Sequence, residues 1–271
     1  MKSCTEIIRA LQEKSNYESP NRERLILELA AWLDAPHKDR EVGLVLDALQ
    51  RFGLDSEGSS AIYPSIVRLL KVTKKPEIAS SCLQVLSDLL YYHGTLNIDD
   101  VLWLVNESRE FNNSSRRYKL DKSNLLAQVL TQGRYKEVWP VVNDWVLRIL
   151  NSSDEEYIDL VAFSLGSKEV AVNKEVLERF GRYVQDNPEK EASEEMAVSL
   201  ARASNGEAKQ YLRRKFNSDV IGKPLIEAAI ICKDTGLLNE LDRLRQREPE
   251  LFTDYEEDIE GLRKELNGRT S

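Results

Sequence analysis

One pattern runs through the whole chain: an amphipathic helix followed by a short polar break. In residues 76–92, for example, Ile78, Cys82, Val85 and Leu89 recur at helical spacing, and Gly94 follows as a helix terminator. Helices identified in this way begin near residues 20, 37, 56, 76, 97, 118, 135, 154 and 170. Successive starts are about 19 residues apart, so two helices occupy about 38 residues, close to the ~40-residue period of two-helix solenoid repeats.

This pattern predicts an all-α fold. No run of residues alternates strictly between apolar and polar as a half-buried strand would. The 12 Gly and 8 Pro are also too few for the many tight turns of a β-sandwich or barrel. Because a single helical hairpin cannot bury its own apolar face, the hairpins must stack to form a core. We therefore expect an α-solenoid of antiparallel helical hairpins.

Several of these segments resemble HEAT-type repeats. IYPSIVRLLK (62–71) followed by PEIASSCLQVLSDLL (76–90) looks like one repeat, with a Pro near the start of its first helix and small or apolar residues inside the second. REVGLVLDALQRFG (40–53) resembles another second helix, and EVWPVVNDWVLRIL (137–150) another first helix. The resemblance covers about residues 20–150 and implies a scaffold or binding surface. Some DNA glycosylases are also HEAT-like, so the resemblance leaves the function open.

Two stretches interrupt the pattern. Residues 111–122, FNNSSRRYKLDK, are polar, with turn-forming Asn and Ser ahead of four basic residues. Residues 187–193, NPEKEAS, have the composition of an exposed connector. We therefore predict a helical-repeat solenoid over 1–186 and further helices over 193–271. The latter form either a continuous cap or a small second domain.

Composition limits the cellular context and the partner. No segment approaches the ~18 consecutive apolar residues that a membrane span requires, and the first residues read as an amphipathic helix rather than a signal peptide. Three cysteines without a CxxC spacing favour reduced thiols, so we expect a cytoplasmic protein. The net charge of −8 disfavours a general nucleic-acid binder, although a local basic stripe can outweigh the mean.

The sequence contains no recognisable catalytic or cofactor motif. The only histidines, His37 and His93, lie in different predicted hairpins, and neither has a second His or Cys at helical ligand spacing. GxGxxG and GxxxxGK[ST] phosphate loops are missing from the sequence. We therefore expect no metal and no cofactor. Catalysis stays open, but a binding protein is favoured over an enzyme.

The basic residues of the first polar break are the main candidate for partner contact. Arg116, Arg117, Lys119 and Lys122 surround Tyr118, and few acidic residues are nearby in the sequence. We predict that residues 112–122 form an exposed loop or helix start that contacts another protein through Arg116 and Arg117, because Arg is enriched at interfaces. The plainer alternative is a loop that only joins two helices.

A second set of residues would serve a nucleic-acid-binding or glycosylase-like cleft. Basic residues beside an aromatic ring can contact phosphate and stack a base. For Trp145, packing in the core is the favoured interpretation, because it continues the apolar stripe of its helix. For the basic residues of the set, an ordinary solvated helix face is favoured. The set consists of Trp139, Asp144, Trp145, Arg213, Arg214 and Lys215.

Three functions remain open at this point. The first is an interaction scaffold, adaptor or inhibitor that presents an elongated helical surface to another protein. The second is a nucleic-acid-binding helical repeat. The third is a neutralising partner in a conflict system, such as an immunity protein.

Overall fold

A computed structural model of the chain describes residues 3–13, 20–35, 37–52, 61–94, 96–107, 115–170, 172–204, 206–216 and 221–268. Within these ranges 82% of the residues are helical, and no β-strand is found. The all-α class predicted from the periodicity is confirmed. The chain divides into two compact units, Met1–Val142 and Asn143–Ser271.

The first unit contains the helices up to the first turn of α8. Local signals set their ends: Ser3 and Glu6 form a capping box at α1, Pro76 opens α5, and Gly94, with a φ of 61°, closes it. The helices are α1 (Cys4–Gln12), α2 (Pro20–Trp32), α3 (Asp39–Phe52), α4 (Tyr63–Val72), α5 (Pro76–His93), α6 (Ile98–Asn106) and α7 (Arg116–Thr131), followed by a 3₁₀ turn (Gly133–Tyr135) and α8 (Trp139–Leu150).

Helix α5 is central to the first unit, because it packs against α3, α4 and α7. Helices α3 and α5 are parallel neighbours, and so are α5 and α7. Gln50 of α3 donates a hydrogen bond to Asp88 of α5 over 3.1 Å, and Ser87 of α5 donates to Gln128 of α7 over 2.7 Å. These partners are 38 and 41 residues apart, which agrees with the predicted two-helix period. Leu89 of α5 is fully buried, as its stripe predicted.

The second unit follows the same order of contacts. Helix α11 packs against α9, α10, α12 and α13, so alternate helices are again neighbours. Asp154 caps α9 by accepting a hydrogen bond from the backbone N–H of Tyr157 over 3.0 Å. The helices are α9 (Glu155–Gly166), α10 (Lys174–Asp186), α11 (Glu191–Arg202), α12 (Gly206–Lys215), α13 (Lys223–Ile231) and α14 (Thr235–Arg247), then a 3₁₀ segment (Pro249–Tyr255) and α15 (Glu256–Gly268).

Residues 187–193, predicted to be an exposed connector, lie inside the second unit. They join α10 to α11, and these two helices pack against each other. Ser193 is buried, and its Oγ donates to the carbonyl oxygen of Asn187 over 2.6 Å. The division between the compact units therefore falls at Val142, inside α8, rather than at this turn. Polar composition alone does not distinguish an inter-helix turn from a domain boundary.

Candidate functional site

The predicted basic cluster lies at the start of α7. Ser115 caps this helix, its side chain accepting from the backbone N–H of Tyr118 over 3.3 Å. Arg116 and Arg117 are exposed in the first turn, and Arg117 Nη2 donates to Gln84 Oε1 of α5 over 3.2 Å. Residues 108–114, which include the predicted loop residues 112–114, lie outside the described part of the chain.

Two members of the cluster face the interior. Tyr118 and Lys122 are each 5% exposed. The Tyr118 hydroxyl donates to Glu107 Oε2 over 3.2 Å, and Lys122 Nζ donates to the carbonyl oxygen of Glu107 over 3.3 Å. These contacts tie α7 to the residue that follows α6. Lys119 is partly buried, so Arg116 and Arg117 are the two exposed members of the cluster. Arg117 Nε also lies 4.0 Å from Asp121 Oδ2 of the same helix.

The first unit brings further basic residues to the same edge. Helices α3, α5 and α7 are parallel, so they begin side by side, and each has two exposed basic residues at or just before its first turn. Positive charge is disfavoured at a helix N-terminus by the helix dipole, so helix stability does not explain these positions. We call this set the basic edge: Lys38 and Arg40 at α3, Lys74 and Lys75 at α5, and Arg116 and Arg117 at α7.

Four of the six members of the basic edge form no side-chain hydrogen bond or ion pair with the residues that the structure describes. Seven basic residues in the described ranges form no side-chain hydrogen bond, ion pair or cation–π contact there: Arg9, Lys38, Arg40, Lys74, Arg116, Arg182 and Lys264. Four of the seven belong to the basic edge. Lys75 has only a long contact, 3.7 Å from Asp39 Oδ2. Acidic residues are interleaved with the edge at Asp39, Glu41 and Glu77, but they are outnumbered two to one.

The other predicted basic cluster is occupied by contacts within the second unit. Arg213 Nη2 lies 3.4 Å from Asp234 Oδ2, and Arg214 Nε donates to the backbone oxygen of Gln210. Lys215 is buried, and its Nζ is 2.8 Å from Glu189 Oε2. These intramolecular partners distinguish the cluster from the basic edge.

A cleft of about 330 Å³ opens between the first turns of α3 and α5, on the basic edge. Arg40 and Lys75 line it with their charges, and Ile78 adds an apolar surface. A Cβ atom added at Gly43 would meet nothing within 4 Å, so this glycine leaves the cleft open. Neither packing nor a positive φ requires glycine at this position. Glycine inside a helix is nevertheless less stable than alanine by about 0.5–1 kcal/mol. The cleft is lined by Asp39, Arg40, Gly43, Lys75, Glu77, Ile78 and Ser81.

The residues considered for an aromatic cleft have different roles. In the first unit, the Trp139 indole is half-buried and donates to the carbonyl oxygen of Val129 over 3.0 Å. In the second unit, Trp145 is 4% exposed and packs edge-to-face against Tyr157, with ring centroids 6.0 Å apart. The packing role predicted for Trp145 is confirmed. Asp144 is exposed.

Sequence reasoning missed a titratable cluster on α11 of the second unit. The pKa of Glu195 is raised to about 7, mainly by burial and also by the nearby carboxylates of Glu227 and Glu194. Arg202 lowers this pKa, but its own guanidinium donates to Glu227 Oε1 at 2.5 Å and to the carbonyl oxygen of Lys168 at 2.6 Å. The sequence signal that could have predicted this cluster is the presence of charged residues on α11, which is otherwise largely apolar.

The described ranges contain no group of three or more His, Cys, Asp or Glu side chains that could hold a metal ion. None of the described helices is both long enough and apolar enough to cross a membrane.

Fold and surface together define an all-α protein in which alternate helices pack side by side and one edge of the first unit is basic. Neither a protein-family model nor a curated protein matches the chain. Among solved structures, the chain is similar to the X-ray structure of YibA from Escherichia coli, a structural-genomics target. The match covers 97% of this chain and 92% of YibA, with a TM-score of 0.56 and 14% sequence identity. At this identity the likeness shows the all-α fold alone.

Proposed function

We propose that the chain is a HEAT-like helical-repeat scaffold that binds another protein, with the basic edge as its contact surface. One observation underlies the proposal: four of the seven basic residues that lack partners in the described ranges gather on three parallel helices. Elsewhere the chain neutralises basic side chains with its own acids, as at Lys190–Glu155 and Lys223–Asp254. Surface charge that the fold does not use is available to a partner.

The distribution of charge strengthens this proposal. Residues 1–142 contain 19 of the 38 Lys and Arg and 19 of the 46 Asp and Glu, so their formal charges cancel. The whole net charge of −8 therefore belongs to residues 143–271. A basic edge on a neutral unit attracts an acidic surface without opposition from the mean charge of that unit.

A protein partner accounts for the edge better than a nucleic acid does. Binding of single strands relies on aromatic platforms beside the basic residues. Tyr118, the aromatic of the predicted cluster, is buried. We also infer a cytoplasmic location, because Cys4, Cys82 and Cys232 are all unpaired and thiols persist in reducing compartments.

Capture of partners from an extract of the native host tests the proposal. The bait is the full chain, with and without nuclease treatment, beside an Arg116→Glu/Arg117→Glu variant. The matched control is Arg182→Glu/Lys264→Glu, which makes the same charge change at exposed, unpartnered positions of the second unit. We expect a protein that is retained after nuclease treatment and by the control, and lost from the edge variant. Capture that disappears with nuclease, or survives reversal of the edge, contradicts the proposal.

A further inference from the structure

We infer that the basic edge binds an extended acidic segment of a protein and that the cleft between α3 and α5 receives one of its carboxylate side chains. This inference rests on the proposed protein-binding function and specifies the chemistry of the partner.

Charge complementarity is the first argument. Six exposed cationic side chains stand on the edge, and Lys38, Arg40, Lys74 and Arg116 have no counter-ion in the described ranges. Carboxylates are the groups that the Arg fork pairs with in two parallel hydrogen bonds. The chain itself supplies such partners to most of its other basic residues.

The spacing of the helices fixes the length of the segment. Packed helices lie about 8–10 Å apart, so α3, α5 and α7 span about 16–20 Å from the first axis to the third. An extended chain advances about 3.3 Å per residue, so about six residues cross the edge. In the polyproline II form, an extended conformation with three residues per turn, acidic residues three positions apart lie on one side of the chain and face successive pairs of basic side chains.

The cleft gives one of these acidic residues a defined seat. Arg40 and Lys75 line it from two different helices, so a carboxylate between them is approached from both sides. Ile78 offers an apolar surface to the methylene groups of an incoming Glu or Asp. The 3.7 Å separation of Lys75 Nζ from Asp39 Oδ2 is longer than a charge-assisted hydrogen bond, so Lys75 is free to reorient toward a ligand. Gly43 leaves room for that ligand.

The same surface is poorly suited to a nucleic acid. Tyr91 and Tyr92 of α5 have exposed aromatic rings, but they lie at the C-terminal end of this helix, whereas Lys75 lies at its N-terminal end. Sixteen residues of helix separate Lys75 from Tyr91, about 24 Å, so these rings cannot stack bases bound at the edge.

Binding of a defined acidic peptide tests the inference on the full chain. The probe is a fluorescein-labelled ten-residue peptide of alternating Asp and Glu, and fluorescence anisotropy at 0.15 M salt reports its Kd. The comparison probes are the corresponding Asn and Gln peptide and a ten-nucleotide single-stranded DNA. We expect the acidic peptide to bind, the neutral peptide not to bind, and the DNA to compete only weakly.

Variants locate the binding surface. Arg40→Glu/Lys75→Glu should weaken the Kd at least about tenfold, because two attractive pairs become repulsive. The control Arg182→Glu/Lys264→Glu should change the Kd less than about twofold, since it alters only the overall charge. Equal weakening by both variants, no binding of the acidic peptide, or tighter binding of the DNA would overturn the inference. If the acidic peptide does not bind but a host protein is still captured through Arg116 and Arg117, this inference is wrong and the proposed scaffold function stands.

Filling the cleft separates its role from that of charge. Gly43→Leu projects a side chain into the cleft without altering any charge, and Gly261→Leu is its control, since a Cβ there also meets nothing within 4 Å. Both replacements should raise the melting temperature, because leucine is a far better helix former than glycine. Only Gly43→Leu should weaken peptide binding, by about fivefold or more. Unchanged binding in a folded Gly43→Leu protein would show that no carboxylate is seated in the cleft.

Discussion

Replacement of Glu195 by Gln should make the protein more stable at alkaline pH and leave its stability in acid almost unchanged. The Glu195 carboxyl group is partly buried on α11. Burial is the main cause that raises its pKa from 4.5 to about 7, followed by the charges of Glu227, Glu194 and Glu191, while Arg202 opposes them. Glutamine keeps the shape of the side chain and removes the charge.

The pKa shift determines both the sign and the pH window. Between pH 4.5 and about 7 the folded protein retains a proton on Glu195 that the unfolded chain releases. Stability contributed by the protonated group is therefore fully present below pH 4.5 and falls as the pH rises toward 7. A shift of this size corresponds to about 3 kcal/mol at about 1.4 kcal/mol per pKa unit. Since the side chain is partly exposed, solvent screening reduces the expected cost to about 1–2 kcal/mol.

Urea unfolding at pH 4.5 and pH 8 measures this difference. Glu195→Gln should increase the free energy of unfolding by about 1–2 kcal/mol at pH 8 and by less than about 0.5 kcal/mol at pH 4.5. Glu250→Gln, which alters an exposed carboxylate on the 3₁₀ segment, is the control and should have little effect at either pH. An equal effect of Glu195→Gln at both pH values, or a loss of stability at pH 8, would refute the argument that the ionised carboxylate opposes folding.

Three further outcomes follow from the fold. Trp145→Ala should lower the free energy of unfolding, measured by chemical denaturation, by about 3–5 kcal/mol, because it removes a buried ring that packs on Tyr157. A loss below about 1 kcal/mol would mean that the indole is not part of the core. Gly94→Ala should lower the free energy of unfolding by about 1–2 kcal/mol in the same assay, since the φ of Gly94, 61°, is left-handed and a Cβ would meet the Arg134 guanidinium. A stabilising effect would contradict this backbone conformation. Far-UV circular dichroism should give a helix content above roughly 60%, about twice that of an average globular protein, and a clear strand signal would contradict the all-α fold.

The sequence by itself determined the helices, because the signals that start and stop a helix are local. The apolar stripe of α5, with Pro76 at its start and Gly94 after its end, predicted both ends within a residue. The helix start predicted near residue 154 agrees with α9, whose cap Asp154 bonds to a backbone group within its own first turn. The mean spacing of the predicted helices also gave the two-helix period that the hydrogen bonds from α3 to α5 and from α5 to α7 display.

Only the tertiary structure decided which charges meet. Lys38, Lys74 and Arg116 are about 40 residues apart from one to the next, and they share an edge because alternate helices pack in parallel. Lys122 was predicted to belong to an exposed loop or helix start, yet it is buried and its Nζ donates to the carbonyl oxygen of Glu107, the residue that follows α6. The pKa of Glu195 likewise depends on Glu227 from a neighbouring helix. Burial and long-range charge contacts are properties of the packed chain, so no local pattern in the sequence encodes them.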